Sequence, residues 1–279
     1  MFISETEGNR FFKVFCALFR KHFQHLHIRP LEGDELIECM ATYARLGCVG
    51  AAGSMDATEV TCENIATRLA NVCNGDKGVG FLYQCIVTHN KICCDVAGSY
   101  YMTVNDKTSV KYNDFVQKLS TGAIYGNICY KVRTGPNEED FIILTNPYLI
   151  VDGGYIEIPQ LMSGFPISSD PIKYKYTDWI ASVRKDVEQW NQYLKGRFRF
   201  FKGLITLQEQ EDIDNAFYTA VILSNIICRH DGLDRLWKKV STGIKSIQTI
   251  VTVRMTSKTT KMRFINQRLL IKPIFKQDT

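Results

Sequence analysis

The sequence predicts an α/β protein: a mixed β-sheet flanked by helices, with a helical amino-terminal segment over residues 1–47 and a basic tail over residues 235–279. Three observations predict it. Apolar residues recur at helical spacing before residue 47 and again after residue 178, while β-branched, aromatic and cysteine residues crowd much of the stretch between them. The 279 residues are 45% hydrophobic and 23% charged, enough apolar material for one large core or two small ones. The charge is also unevenly spread: residues 235–279 carry eleven Lys and Arg against Asp278 alone, a net of +10. The preceding residues then carry a net of −5.

The elements follow in order. Phe11, Phe15, Leu18 and Phe19 mark a first helix, and "LEGDELIECMATYARLG" forms a second amphipathic segment that ends at Gly47. "CVGAAGSMDATEV" and "GFLYQCIVTHNKICCDVAGSYY" then read as strands, with "HNK" at 89–91 as the turn between two antiparallel ones. Residues 109–122 read as one helix closed by Gly122. "FIILTNPYLIVDGGY" supplies one or two further strands, and the Pro, Ser and Asp of "LMSGFPISSDPIKYKY" mark an irregular connection. A long helix is expected over roughly residues 179–203, another over roughly 207–230, and "MTSKTTKMRF" is expected to be loosely structured. No internal repeat is present.

The long helix is the best defined. Val183, Val187, Trp190, Leu194, Phe198 and Phe201 fall within an arc of about 80° at 100° per residue, so this stripe faces a core. Beside it, Arg184, Glu188, Lys195, Arg199 and Lys202 span about 60°, one acid among four bases. Three antiparallel strands, a helix, then a further strand is the opening of a ribonuclease H-like sheet, here assigned to residues 48–234.

Several function classes are excluded or weakened. Ten cysteines occur without a CxxC pair or zinc-ligand spacing and read as buried thiols of a reducing compartment. "MFISETEGNR" lacks a basic n-region, and no apolar run approaches eighteen residues, so neither a signal peptide nor a membrane span is expected. His22, His25 and His27 lack a fourth ligand or an HExxH frame, "GDKGVG" lacks the P-loop ending, and Ser54 is not in GxSxG. An acidic body with a basic tail suits a polyanionic partner, because clustered Lys and Arg gain affinity through counterion release. A solubilising tail is the alternative.

Three acids stand at element edges: Asp56 on the first strand, Asp152 at the end of "YLIVDGGY", and Glu188 on the long helix. Singly, Asp56 reads as a bend residue, Asp152 as a turn residue before two glycines, and Glu188 as an i,i+4 partner of Arg184. Together, two strand acids and one helix acid suit two Mg²⁺ or Mn²⁺ ions, which take hard oxygen ligands and activate an attacking oxygen while stabilising a leaving one. Arg184, Lys195, Arg199 and Lys202, assisted by Arg197 and the tail, would then contact phosphate.

These residues resemble the transposases of PIF/Harbinger-type DNA transposons and their domesticated nuclease-like relatives. The resemblance runs from about residue 30 to about 235, through "RPLEGDELIECMATYARLGCVGAAGSMDATEV", "NDKTSVKYNDF", "LIVDGGYIEIP", "SVRKDVEQWNQYLKGRFRFFKG" and "HDGLDRLW". It implies that Asp56, Asp152 and Glu188 are the catalytic and metal-binding acids of a DDE site, the last two 36 positions apart. It further implies a metal-dependent endonuclease that nicks double-stranded DNA at terminal inverted repeats and joins the 3′-hydroxyl to target DNA. A Myb-like DNA-binding partner, nuclear location and homo-oligomers are compatible with it, and a truncated or domesticated copy fits its length. The sequence departs from the family at Asn191 and Gln192, where an aromatic residue and glycine are usual, and at Ser224 in Leu223-Ser224-Asn225, where histidine is usual. Two other readings stay open: a DNA-binding scaffold that no longer cuts, and a ribonuclease H-like nuclease acting on RNA or hybrids.

Overall fold

The structure, a computed structural model, describes residues 4–69, 73–75, 78–135, 137, 140–155, 158–165, 169–234 and 254–255. Two helices open the chain, α1 (Glu5–His27) and α2 (Gly33–Arg45). Ser4 and Glu7 form a reciprocal capping box at the start of α1, satisfying two orphan donors of the first turn. Gly47, at φ 91°, lets the chain turn out of α2 into the sheet.

The sheet follows as the sequence orders it. β1 (Ala51–Thr61), β3 (Gly78–Val87) and β4 (Cys93–Tyr101) form an antiparallel meander, with the two-residue β2 (Asn74–Gly75) pairing the start of β3. The β3–β4 connection is the expected turn, with Lys91 at φ 64°. β7 (Tyr148–Ile150) then adds parallel to the other side of β1, and β8 (Leu161–Met162) adds parallel to β7. The main sheet therefore runs β4-β3-β1-β7-β8, mixed and five-stranded, flanked by helices. This is the arrangement of a ribonuclease H-like fold.

The elements between β4 and β7 differ from the single helix expected at 109–122. The chain forms a short helix α3 (Asp106–Ser109), a 3₁₀ turn over Val110–Tyr112, and helix α4 (Asp114–Thr121). Asn113 causes the break: its side chain caps α4 by accepting from Val116 N at 3.0 Å and donates to Gln84 Oε1 at 3.1 Å. Gly122 closes α4 at φ 73°, as expected. A hairpin of β5 (Ile128–Arg133) and β6 (Phe141–Thr145) precedes β7, and β9 (Arg254–Met255) pairs with β5.

Two long helices follow β8 among the described residues. α5 spans Pro171–Arg197, followed by a 3₁₀ turn over Arg199–Phe201, and α6 spans Gln210–His230. α5 starts eight residues before the expected boundary because Asp170 caps it, accepting from Ile172 N at 2.9 Å, and Pro171 occupies the first turn where its missing N–H costs nothing. Its apolar stripe is buried as expected through Val183, Val187, Trp190 and Leu194. The sheet separates two cores. One joins α2, α4, β7 and the amino-terminal half of α5; the other joins α1, α6 and the carboxyl-terminal half of α5 to alternate residues of β3, with Tyr83 stacked on Phe217 at 4.0 Å. No helix among the described residues is long and apolar enough to cross a membrane. Of the basic tail and "MTSKTTKMRF", everything but Arg254 and Met255 lies outside the described residues.

Candidate active site

Strand alternation aims Asp56 at α5. On β1, Val60 joins the core that holds Trp190 and α6, and Asp56, four residues earlier, shares its face. The Asp56 side chain is 25% exposed, its Oδ1 accepting from Ala57 N at 2.9 Å and its Oδ2 from Arg184 Nη1 at 3.3 Å. Arg184 Nη2 donates to Glu188 Oε1 one helical turn away. A single guanidinium thus joins the strand acid to the helix acid.

Asp152 reaches the same level by register. Ile150 pairs with Ser54 in the parallel β1–β7 ladder, so two residues further along both strands lie Asp152 and Asp56. Asp152 is exposed; its Oδ1 accepts from Gly153 N at 2.6 Å and its carbonyl accepts from Tyr155 N at 3.3 Å, the turn geometry that an Asp-Gly-Gly sequence favours. Both the turn reading and the edge-acid reading of this aspartate therefore describe the same backbone. Asp56 senses its neighbours: burial pushes its carboxyl up to about 6, Arg184 and the Ala57 N–H pull it down, and the charges of Glu188 and Asp152 push it up again.

Two groups that sequence reasoning passed over border these acids. Asp106 opens α3, and its Oδ2 lies 3.6 Å from where a Cβ on Gly154 would sit. The signal was present in "NDKT", where Asn105 caps the helix by accepting from Thr108 N at 2.9 Å. Tyr155 is buried, and its hydroxyl has no hydrogen-bond partner among the described residues. Burial raises its pKa, reinforced by the charges of Asp106, Asp56 and Asp152, so the phenol stays protonated.

The expected phosphate contacts divide. Arg184 lies between the acids, and Lys195 Nζ donates to the Glu59 carbonyl at 2.8 Å on the far half of β1. Arg197 Nη1 donates to Ser224 Oγ at 3.4 Å, toward α6. Arg199 and Lys202 lie past the end of α5 and are exposed. A further acid fixes the helix: buried Asp186 binds Lys91 Nζ and His89 Nδ1, each at 2.7 Å, tying α5 to the β3–β4 turn. An acid bordering the apolar stripe of α5 was its sequence signal.

As donors, the three acids fit Mg²⁺ or Mn²⁺, since they offer carboxylate oxygens only and Asp56 carries a charge its surroundings disfavour. Their present arrangement is closed by Arg184, and no three His, Cys, Asp or Glu side chains among the described residues are grouped to hold an ion. Here the comparison with known proteins decides the family: the DDE superfamily endonuclease profile matches residues 55–225. The chain belongs to the DDE superfamily endonucleases. No curated protein matches it, and no solved structure does. The match begins one residue before Asp56 and encloses Asp152 and Glu188. It ends at Asn225, which is buried and holds the fold of this endonuclease domain together. Asn225 accepts from Cys93 N at 3.0 Å and donates to the carbonyls of Cys93 at 2.7 Å and His27 at 2.8 Å. One amide thereby joins α6, the first residue of β4 and the end of α1.

Proposed function

We propose that this chain is a metal-dependent DNA endonuclease of the DDE type, in the PIF/Harbinger group, with Asp56, Asp152 and Glu188 as its catalytic acids. The observation that supports this best is the convergence of a β1 acid and an α5 acid on one guanidinium, with a third acid level with the first at the end of the neighbouring parallel strand. Two divalent ions, when bound, supply Lewis-acid activation of the attacking oxygen and charge stabilisation of the leaving one. The residues do the rest. Asp56 is fixed from behind by the Ala57 N–H, and Asp152 sits where Gly153 and Gly154 present no side chains to an approaching backbone. Arg184, beside the acids that would hold the ions, would meet a phosphodiester, with Lys195 on the same side of α5, Arg199 and Lys202 in the turn beyond it, and Arg197 assisting from the side that faces α6. Double-stranded DNA is the substrate; terminal inverted repeats as its cognate sites, strand transfer, nuclear action and a Myb-like partner belong to the same proposal.

One observation favours a second reading, in which the chain binds DNA without cutting it. Arg184 already neutralises Asp56 and Glu188, as a permanent counterion would in a retired site. The two readings separate in a nicking assay on supercoiled plasmid carrying candidate inverted repeats, with Mg²⁺ or Mn²⁺. The endonuclease reading expects open-circle product from wild type and none from Asp152→Asn, with salt-sensitive DNA binding unchanged. Binding by both proteins with cutting by neither establishes the scaffold reading instead.

A further inference from the structure

α1 has two opposite faces, and among the described residues only one is occupied. On the inner face, Cys16 is buried, its carbonyl accepts from Thr219 Oγ1 at 3.1 Å, Lys13 pairs with Asp212 at 2.7 Å, and Arg20 lies over the Tyr218 ring at 3.9 Å. The outer face is apolar and open to solvent. Phe11, Val14, Phe15, Leu18 and Leu26 range in exposure from 39% at Phe15 to 71% at Phe11. From this face a ladder of rings winds round the helix, Phe11–Phe15 at 6.3 Å, Phe15–Phe19 at 5.3 Å and Phe19–Phe23 at 4.7 Å. Together they expose on the order of 500 Å² of apolar surface, the upper end of what a monomer carries.

The occupant is specified by the order of residues along that face. At 100° per residue, Glu7, Phe11, Phe15, Leu18, His22 and His25 fall on one side of the helix, acid at its start and imidazoles at its end, with Lys21 beside them. Reversed, this order complements itself. An antiparallel second copy brings its Leu18 against Phe15, its His22 against Phe11, and its His25–Leu26 turn against Glu7. A parallel copy would set Glu7 on Glu7 and Lys21 beside Lys21, and would align two helix dipoles. Two such faces bury on the order of 1,000 Å², the lower bound for a specific interface. The contact is isologous, so it closes as a two-fold dimer rather than a chain.

We propose that α1 is a homodimerisation helix, pairing antiparallel with α1 of a second copy through Phe11, Phe15 and Leu18. The proposal is independent of whether the chain cuts DNA. Sedimentation equilibrium on the full chain, from 1 to 100 µM, tests it. Wild type is expected to dimerise, and Leu18→Glu to weaken dimerisation at least 100-fold while keeping the wild-type circular-dichroism spectrum, since Leu18 faces solvent in the monomer. Single-cysteine pairs fix the direction, because nine of the ten native cysteines are buried and Cys129 is partly so. Under mild oxidation, a mixture of Phe15→Cys and Leu18→Cys chains is expected to give mixed cross-links in preference to like-with-like ones. A wild-type monomer at 100 µM overturns the proposal, including one whose outer face is protected from hydrogen exchange by another segment of the same chain. A dimer indifferent to Leu18→Glu, or like-with-like cross-linking, overturns it as well.

Discussion

Replacing Asp56 with asparagine changes one oxygen to an amide nitrogen and removes a charge that the fold disfavours. The pKa of this carboxyl is pushed from an ordinary 3.8 to about 6, chiefly by burial, with Glu188 and Asp152 adding to the effect and Arg184 opposing it. Because the folded value lies above the unfolded one, the native state holds a proton between about pH 4 and pH 6 that the unfolded chain has lost. Stability therefore falls as pH rises through that window and stays lower above it. Two units correspond to about 3 kcal/mol, and allowing for solvent screening of a side chain that is 25% exposed leaves about 2 kcal/mol. The neutral amide escapes this penalty. For a chain of this size, about 2 kcal/mol corresponds to about 4–8 °C in Tm. Calorimetric melts of wild type, Asp56→Asn and Asp152→Asn at pH 7 and pH 4 supply the test. Asp56→Asn is expected to gain the full amount at pH 7 and nearly nothing at pH 4, while Asp152→Asn, exposed on its turn, stays within about 0.5 kcal/mol at both. An Asp56→Asn protein no more stable than wild type at pH 7, or equally stabilised at both pH values, refutes the reasoning.

Three further outcomes follow from the same geometry. Mn²⁺ at 100 times its Kd, measured by isothermal titration, is expected to stabilise wild type by about 2.7 kcal/mol in thermal melts and to leave Asp56→Asn unchanged. Arg184→Met leaves Asp56 and Glu188 without their shared counterion, so the Asp56 pKa should move further up in a carbon-13 NMR titration, with a loss of about 1–3 kcal/mol at pH 7 that shrinks toward pH 4. Asp186→Ala removes the carboxylate that pairs with the buried Lys91 ammonium and is expected to cost about 3–5 kcal/mol in urea denaturation, with the slope of the unfolding curve unchanged.

The sheet was legible because its signals are local and redundant. β-branched and aromatic runs with a turn at 89–91 specify the meander, and Gly47 and Gly122 stop helices at the left-handed positions they occupy. What escaped is informative. "DPIKYKY" reads as a break by its proline, yet Asp170 and Pro171 are a helix cap and first-turn pair, so α5 begins there. Asn113 splits one apparent helix into two because its side chain serves Gln84 across the sheet, a contact without sequence periodicity. The same holds at the site. Asp56, Glu188 and the Arg184–Glu188 pair could be selected from the sequence, but the reach of that guanidinium to Asp56, the approach of Asp106 to Gly154 and a Tyr155 hydroxyl without a partner among the described residues depend on distances that only the folded chain supplies.

The ion pairs of α5 have a mechanical meaning beyond their energies. Arg184 and Glu188 are held to β1 on one side of the buried stripe, and Asp186, about 160° around the axis from Glu188 at 100° per residue, is held to the β3–β4 turn on the other. A helix anchored on both flanks resists rolling about its own axis. The angular position of Glu188 is thus set partly by His89 and Lys91, which hold the opposite flank of the helix, and changes in that turn would be read out as misalignment of the helix acid.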